Sequence, residues 1–90
     1  MPNIEIHGVS KKEADKIQKQ IAESFGDAEY RKDIVVSIAN DKVFDIEGQP
    51  KPYLRIVTDC VDYEDIAERL NILMMDIEVV LLHKFEEWKN

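Results

Sequence analysis

The chain opens with the sequence PNIEIHG at residues 2–8. Between the proline and the glycine, polar and apolar side chains alternate, which is the period of a β-strand with one buried face. Ile4 and Ile6 are therefore expected to point into a core, and Gly8 is expected to end the strand. The first element is predicted to be a strand, around which the following segments must pack.

A helix is predicted directly after this strand. Ser10 is followed three residues later by Glu13, which is a capping-box pattern that satisfies unpaired backbone N–H groups at a helix start. Apolar side chains then recur at helical spacing, at Ala14, Ile17, Ile21, Ala22 and Phe25. Gly26 supplies a stop signal.

Two further strands are predicted in the middle of the chain. Residues 34–39 read IVVSIA and are rich in β-branched side chains, and residues 53–58 read YLRIVT. Between them, residues 42–52 are rich in turn-forming residues and are expected to form a loop with at most a short local ribbon.

A second helix and a fourth strand complete the pattern. Asp62 is expected to cap the helix, because acceptors and acidic side chains suit the positive end of the helix dipole. The inner face of this helix is predicted to consist of Ile66, Ala67, Leu70 and Leu73. Residues 77–83 are apolar on both faces, which favours a central position in the sheet.

The order strand, helix, strand, strand, helix, strand fits two architectures of the α+β class, each with four main strands and two helices on one face of the sheet. One is the ferredoxin-like split β-α-β sandwich, whose sheet is antiparallel. The other is the tautomerase fold, which pairs its strands in parallel within each half. Periodicity alone does not separate the two.

Composition limits the possible functions. With 90 residues and 44% apolar residues, the chain is expected to form one domain spanning residues 1–90. So short a chain has a thin core, and self-association is therefore expected. The net charge of −7 disfavours nucleic acid and anionic lipid as partners. Because no apolar stretch approaches the roughly 20 residues of a membrane span and no signal sequence is evident, a cytoplasmic location is expected.

The sequence predicts no metal or cofactor. Cys60 is the only cysteine and His7 and His83 are the only histidines, so neither an internal disulfide nor a zinc cluster is expected.

Two segments resemble the tautomerase superfamily, in particular a group of short prokaryotic tautomerase-like proteins. The first is residues 2–8, which places a proline after the initiator methionine at the start of the first strand. The second is residues 44–56, FDIEGQPKPYLRI, which leads into the third strand. The resemblance in element order covers most of the chain. It implies a homo-oligomer, with a trimer favoured, which would also supply a shared core.

The resemblance further implies that Pro2 is a catalytic base once Met1 is removed. Apolar surroundings or a nearby cation lower the pKa of an α-amino group toward neutrality, which makes the neutral amine available as a base. A developing enolate needs a cation or hydrogen-bond donor close by. The candidate substrate-binding residues for a small 2-oxo acid are Arg55, Lys32 and Arg31, with Arg55 and Lys32 ranked ahead of Arg31. The second strand lacks the arginine that 4-oxalocrotonate tautomerase carries there.

Two other interpretations stay open. The chain could be a non-catalytic ferredoxin-like binding or assembly module in which Pro2 only starts a strand. It could also keep the tautomerase fold without catalysis, for which the missing strand arginine is the main argument. If Met1 stays attached, the Pro2 nitrogen is an amide and cannot act as a base.

Overall fold

The computed structural model describes residues 2–58, 63–74 and 76–83. The elements are β1 (Asn3–His7), α1 (Lys11–Ser24), a 3-10 helix (Glu29–Asp33), β2 (Val35–Ile38), β3 (Tyr53–Thr58), α2 (Tyr63–Leu73) and β4 (Glu78–His83). The predicted order of strands and helices is confirmed. The 3-10 helix was not predicted, because its segment carries charged residues without an apolar period.

The strands form one sheet in the order β2-β1-β3-β4. β1 pairs with β2 in parallel, β3 pairs with β4 in parallel, and β1 and β3 meet antiparallel at the centre. Each half is therefore a β-α-β unit, as in the tautomerase fold. The ferredoxin-like alternative is wrong, because its sheet has no parallel pairs.

The core lies between one face of the sheet and the two helices. Alternate residues of the central strands, including Ile4, Ile6, Leu54 and Ile56, are fully buried on that face. The helices cover them with Ala14, Ile17, Ile21, Phe25, Ile66, Leu70 and Met74. The other face of the sheet carries no helix of the described residues, and we call it the open face.

The start of α1 matches the sequence signal. The Ser10 Oγ accepts a hydrogen bond from the Glu13 N–H at 3.2 Å, and the helix ends at Ser24, shortly before Gly26. The predicted cap Asp62 of α2 lies outside the described residues. Neither helix is long and apolar enough to cross a membrane, among the residues that the structure describes.

The central position predicted for the fourth strand is wrong. β4 lies at the edge of the sheet, and Val80, Leu81 and Leu82 are each 38–39% exposed. An apolar run shows that both faces avoid water, but it does not identify what covers them. Residues 2–58, 63–74 and 76–83 supply no covering layer on the open face.

The loop between β2 and β3 is held by a local ribbon, as expected. Phe44 forms an isolated antiparallel bridge with Pro50, and the Asp45 Oδ1 accepts N–H bonds from Glu47 and Gln49, each at 2.9 Å. Gly48, with φ of +85°, completes this turn.

Candidate functional site

Pro2 lies at the entrance to β1 and is fully buried. Its carbonyl accepts a hydrogen bond from the Val35 N–H at 2.9 Å, which continues the parallel pairing of β1 with β2. This register places Ile34, the residue before Val35, beside Pro2. On the other side, the antiparallel register of β1 with β3 places the buried Thr58 beside Pro2. Pro2 is therefore shielded from water between an apolar and a hydroxyl-bearing side chain, on the helix side of the sheet.

Arg31 and Lys32 belong to the 3-10 helix that leads into β2, and both are exposed. Because β2 starts beside Pro2, these two cations are carried by the segment that enters the sheet at the Pro2 end. The Arg31 Nη2 lies 3.5 Å from the Ala22 carbonyl oxygen in α1, at the limit of a hydrogen bond.

A cavity of about 170 Å³ opens between α1 and the start of β2, and we call it the α1–β2 cavity. It is lined by Gln18, Ile21, Ala22, Phe25, Arg31, Ile34 and Val36. Ile34 lines the cavity and, by the β1–β2 register, also lies next to Pro2 on the neighbouring strand, about 5 Å away. It therefore separates the cavity from Pro2. Sequence reasoning missed this cavity, because its walls come from different elements: Phe25 was predicted on the apolar face of a helix and Ile34 in a strand.

Arg55 lies elsewhere. It stands opposite Glu5 in the β1–β3 pairing, three residues from Pro2 along β1, or roughly 10 Å. Its side chain shares the open face with Glu5, whereas Pro2 belongs to the helix side. Both the Nε and the Nη2 of Arg55 lie 2.9 Å from the Glu5 Oε1. The structure does not bring Arg55 and Pro2 together within one chain.

Sequence reasoning also missed a polar cluster around His7 on the open face. The His7 Nε2 lies 2.7 Å from the Glu5 Oε1, and the Nδ1 lies 2.8 Å from the Asp41 Oδ2. The imidazole ring stacks on the Tyr53 ring, with 4.6 Å between centroids. Since a carboxylate only accepts hydrogen bonds, both ring nitrogens must donate, which requires the imidazolium form.

The charged groups of this cluster shift one another's pKa values. Desolvation lowers the pKa of His7, but the bonds to Asp41 and Glu5 outweigh it and raise that pKa above its ordinary value. The same bond from His7, together with Arg55, lowers the pKa of Glu5. The pKa of Asp41 is lowered by His7 and by the Gly8 N–H, which donates to its Oδ1 at 2.9 Å. The cluster thus ties the loop after β2 to β1.

A second charged group fixes the end of α1 against α2. The Arg69 Nη1 donates to the Ser24 carbonyl oxygen at 2.9 Å and pairs with the Asp27 carboxylate at 3.0 Å. Its guanidinium also lies over the Phe25 ring, 5.5 Å from the centroid. These contacts hold in place the phenylalanine that lines the α1–β2 cavity.

Within residues 2–58, 63–74 and 76–83, no three or more histidine, cysteine or acidic side chains gather in a way that could hold a metal ion. Cys60 lies outside these ranges.

No protein-family model and no curated protein sequence matches this chain. Solved structures do match. A protein of unknown function from Vibrio cholerae has a TM-score of 0.66 at 13% identity, over 92% of this chain and 77% of that one. A DUF1904 domain of unknown function from Sebaldella termitidis has a TM-score of 0.66 at 13% identity, over 100% of this chain and 94% of that one.

The macrophage migration inhibitory factor of Toxoplasma gondii is also similar. Its TM-score is 0.56 at 15% identity, over 99% of this chain and 94% of that one. Identities this low show a shared fold. The protein therefore has a βαββαβ fold of the tautomerase type, in agreement with its parallel strand pairs.

Proposed function

We propose that the protein interconverts the keto and enol forms of a small 2-oxo acid, with Pro2 as general base after removal of Met1. The observation that carries this proposal is the position of Pro2. It lies at the entrance to β1, whose pairing with β2 is parallel, and the basic residues Arg31 and Lys32 lead into the neighbouring strand.

The chemistry requires a neutral secondary amine. Removal from water disfavours the charged form of an amine, and Pro2 is buried. The nitrogen takes a proton from the carbon next to the carbonyl, and the electron pair of the broken C–H bond forms the C=C bond of the enolate. The carbonyl oxygen takes up the negative charge and then a proton from solvent. A cation beside that oxygen stabilises the charge.

Within one chain, Arg31 and Lys32 suit this cation role better than Arg55. They lie at the β2 end that adjoins Pro2, whereas Arg55 is bound to Glu5 on the open face. The substrate-binding role of Arg55 stays a prediction.

We further propose that the protein is a homo-oligomer, with a trimer favoured by the resemblance to the superfamily. The open face supports self-association. Val35, Val80 and Leu82 lie on this face by register and are 38–43% exposed. The charges between them, Glu5 and Arg55, are already paired within the chain. Covering Val35, Val80 and Leu82 with other copies would remove apolar surface from water, while Glu5 and Arg55 would stay paired with each other.

The test is keto-enol conversion of an enolised aryl pyruvate by untagged protein whose intact mass shows that Met1 is absent. We expect a rate above the buffer rate that is lost in Pro2→Ala and in protein that retains Met1. Pro50→Ala is the matched control, because Pro50 is exposed and lies in the loop. A Pro2→Ala variant that folds and keeps the rate would refute the assignment of the base.

A non-catalytic protein with the same fold is the second candidate, and the full burial of Pro2 favours it, since a base must reach its substrate. Absence of any rate enhancement, together with a stable oligomer in sedimentation velocity, would favour this assembly role.

A further inference from the structure

The α1–β2 cavity combines an apolar interior with one positive charge. Ile21, Phe25, Ile34 and Val36 supply apolar walls from α1 and from the start of β2. Arg31 is the only charged residue among the described residues that line it.

The guanidinium of Arg31 is available for a ligand. Its contact within the described residues is the Ala22 carbonyl oxygen at 3.5 Å, and no described carboxylate pairs with it. The two half-buried arginines differ from the exposed Arg31, because Arg55 is bound to Glu5 and Arg69 to Asp27. A guanidinium presents five N–H donors in a planar fork that matches a carboxylate.

The size of the cavity limits the ligand. Its volume of about 170 Å³ is below the 300–1,000 Å³ of sites for drug-sized ligands, so only a small molecule fits. A second carboxylate on such a molecule would face apolar walls without a partner, which is costly.

We propose that the α1–β2 cavity binds a small monocarboxylate with a branched or aromatic apolar tail, and that Arg31 recognises the carboxylate. The tail lies against Phe25 and Ile34, and the Gln18 amide lies within the same lining. This inference rests on the proposed function only if the bound ligand is also the substrate. Ile34 lies between the cavity and Pro2, so a ligand in the cavity does not have to contact Pro2. Binding itself needs no reaction at Pro2.

Isocaproate is a suitable probe, because it has a branched tail and one carboxylate but no carbonyl for a tautomerase to act on. Calorimetry would measure its affinity, and amide chemical shifts in ¹⁵N-labelled protein would locate it. We expect shifts at Ile21, Ile34 and Val36. The neutral isostere isocaproamide and the dicarboxylate adipate are each expected to bind about tenfold or more weakly.

Two variants test the role of the cavity. Arg31→Gln is expected to weaken isocaproate binding about 10- to 100-fold, as for loss of a charged hydrogen-bond partner, while leaving isocaproamide binding unchanged. Ala22→Leu is expected to abolish binding of both by filling the cavity. The matched control is Lys19→Gln, which removes the same charge from an exposed position of α1 outside the lining, and is expected to change the affinity less than twofold.

The inference is overturned if isocaproamide or adipate binds as tightly as isocaproate, if Arg31→Gln and Lys19→Gln have equal effects, or if the shifts fall elsewhere. If isocaproate binds as described while Pro2→Ala keeps full tautomerase activity, the proposed base is wrong and the site stands. If Pro2 is essential while isocaproate does not bind, the site alone is wrong.

Discussion

Gly8 and Gly48 provide a matched pair for separating backbone strain from steric overlap. Both have positive φ, at +79° and +85°. A Cβ at Gly8 would lie 3.0 Å from the Pro52 Cα and 3.2 Å from the Val43 Cβ, whereas a Cβ at Gly48 would meet nothing within 4 Å. Alanine at either position should therefore incur the same strain, and only alanine at Gly8 should also push on the loop.

The magnitudes follow from these contacts. A left-handed conformation costs a non-glycine residue about 1–2 kcal/mol, and alanine recovers about 0.4–1 kcal/mol by restricting the unfolded chain. Gly48→Ala should therefore lower the free energy of unfolding by about 1 kcal/mol. Overpacking against the Pro52 backbone adds about 1–3 kcal/mol, so Gly8→Ala should lose about 2–4 kcal/mol. Alanine keeps the backbone N–H that Gly8 donates to Asp41, so the substitution does not itself remove this donor.

Urea unfolding at one fixed protomer concentration measures both variants, because self-association would make stability depend on concentration. The reasoning is refuted if the two variants lose equal stability, or if Gly8→Ala unfolds like the wild type.

Three further outcomes are expected. Folding raises the pKa of His7, so the stability that its bonds contribute is fully present below the ordinary pKa of 6.5 and is lost as the pH rises through the folded pKa. The free energy of unfolding should therefore fall over that pH range in the wild type and change less in His7→Gln. Urea titrations at several pH values would measure this difference. Ile56→Ala should lower the free energy of unfolding by about 2–5 kcal/mol, because Ile56 is fully buried. Ile46→Ala should leave it unchanged, because Ile46 is fully exposed. Equal effects of the two variants in thermal or urea unfolding would contradict the assigned core. Ser10→Ala should cost about 1 kcal/mol, and an unchanged urea midpoint would show that its hydroxyl does not cap α1.

Local signals in the sequence predicted the elements well. The alternation around Ile4 and Ile6 gave a strand with those two residues buried, and the Ser10 pattern gave the start of α1. Both signals depend only on residues a few positions apart in the chain, so they can be identified without knowledge of the tertiary structure. The edge position of β4 could not be predicted, because an apolar strand has the same sequence in either position.

The candidate site also has parts that the sequence indicated and parts that only the fold determined. Pro2, Arg31 and Lys32 became candidates through the resemblance of their segments to the tautomerase superfamily, Pro2 before the first strand and the two cations before the second. Their relation to one another depends on the parallel β1–β2 register, which joins residues more than thirty positions apart. The same holds for the ion pair of Arg55 with Glu5, which engages one of the two cations ranked first from the sequence.

The sequence by itself determined the strand and helix segments and most of the inner face of each, because hydrophobic periodicity and capping act over one or two turns of chain. Only the tertiary structure decided between parallel and antiparallel pairing and placed β4 at the edge. It also gathered Glu5 and Asp41 around His7 and formed the cavity between α1 and the start of β2. Those features arise from contacts between distant segments, whose free energy depends on how whole elements pack and leaves no local pattern to detect.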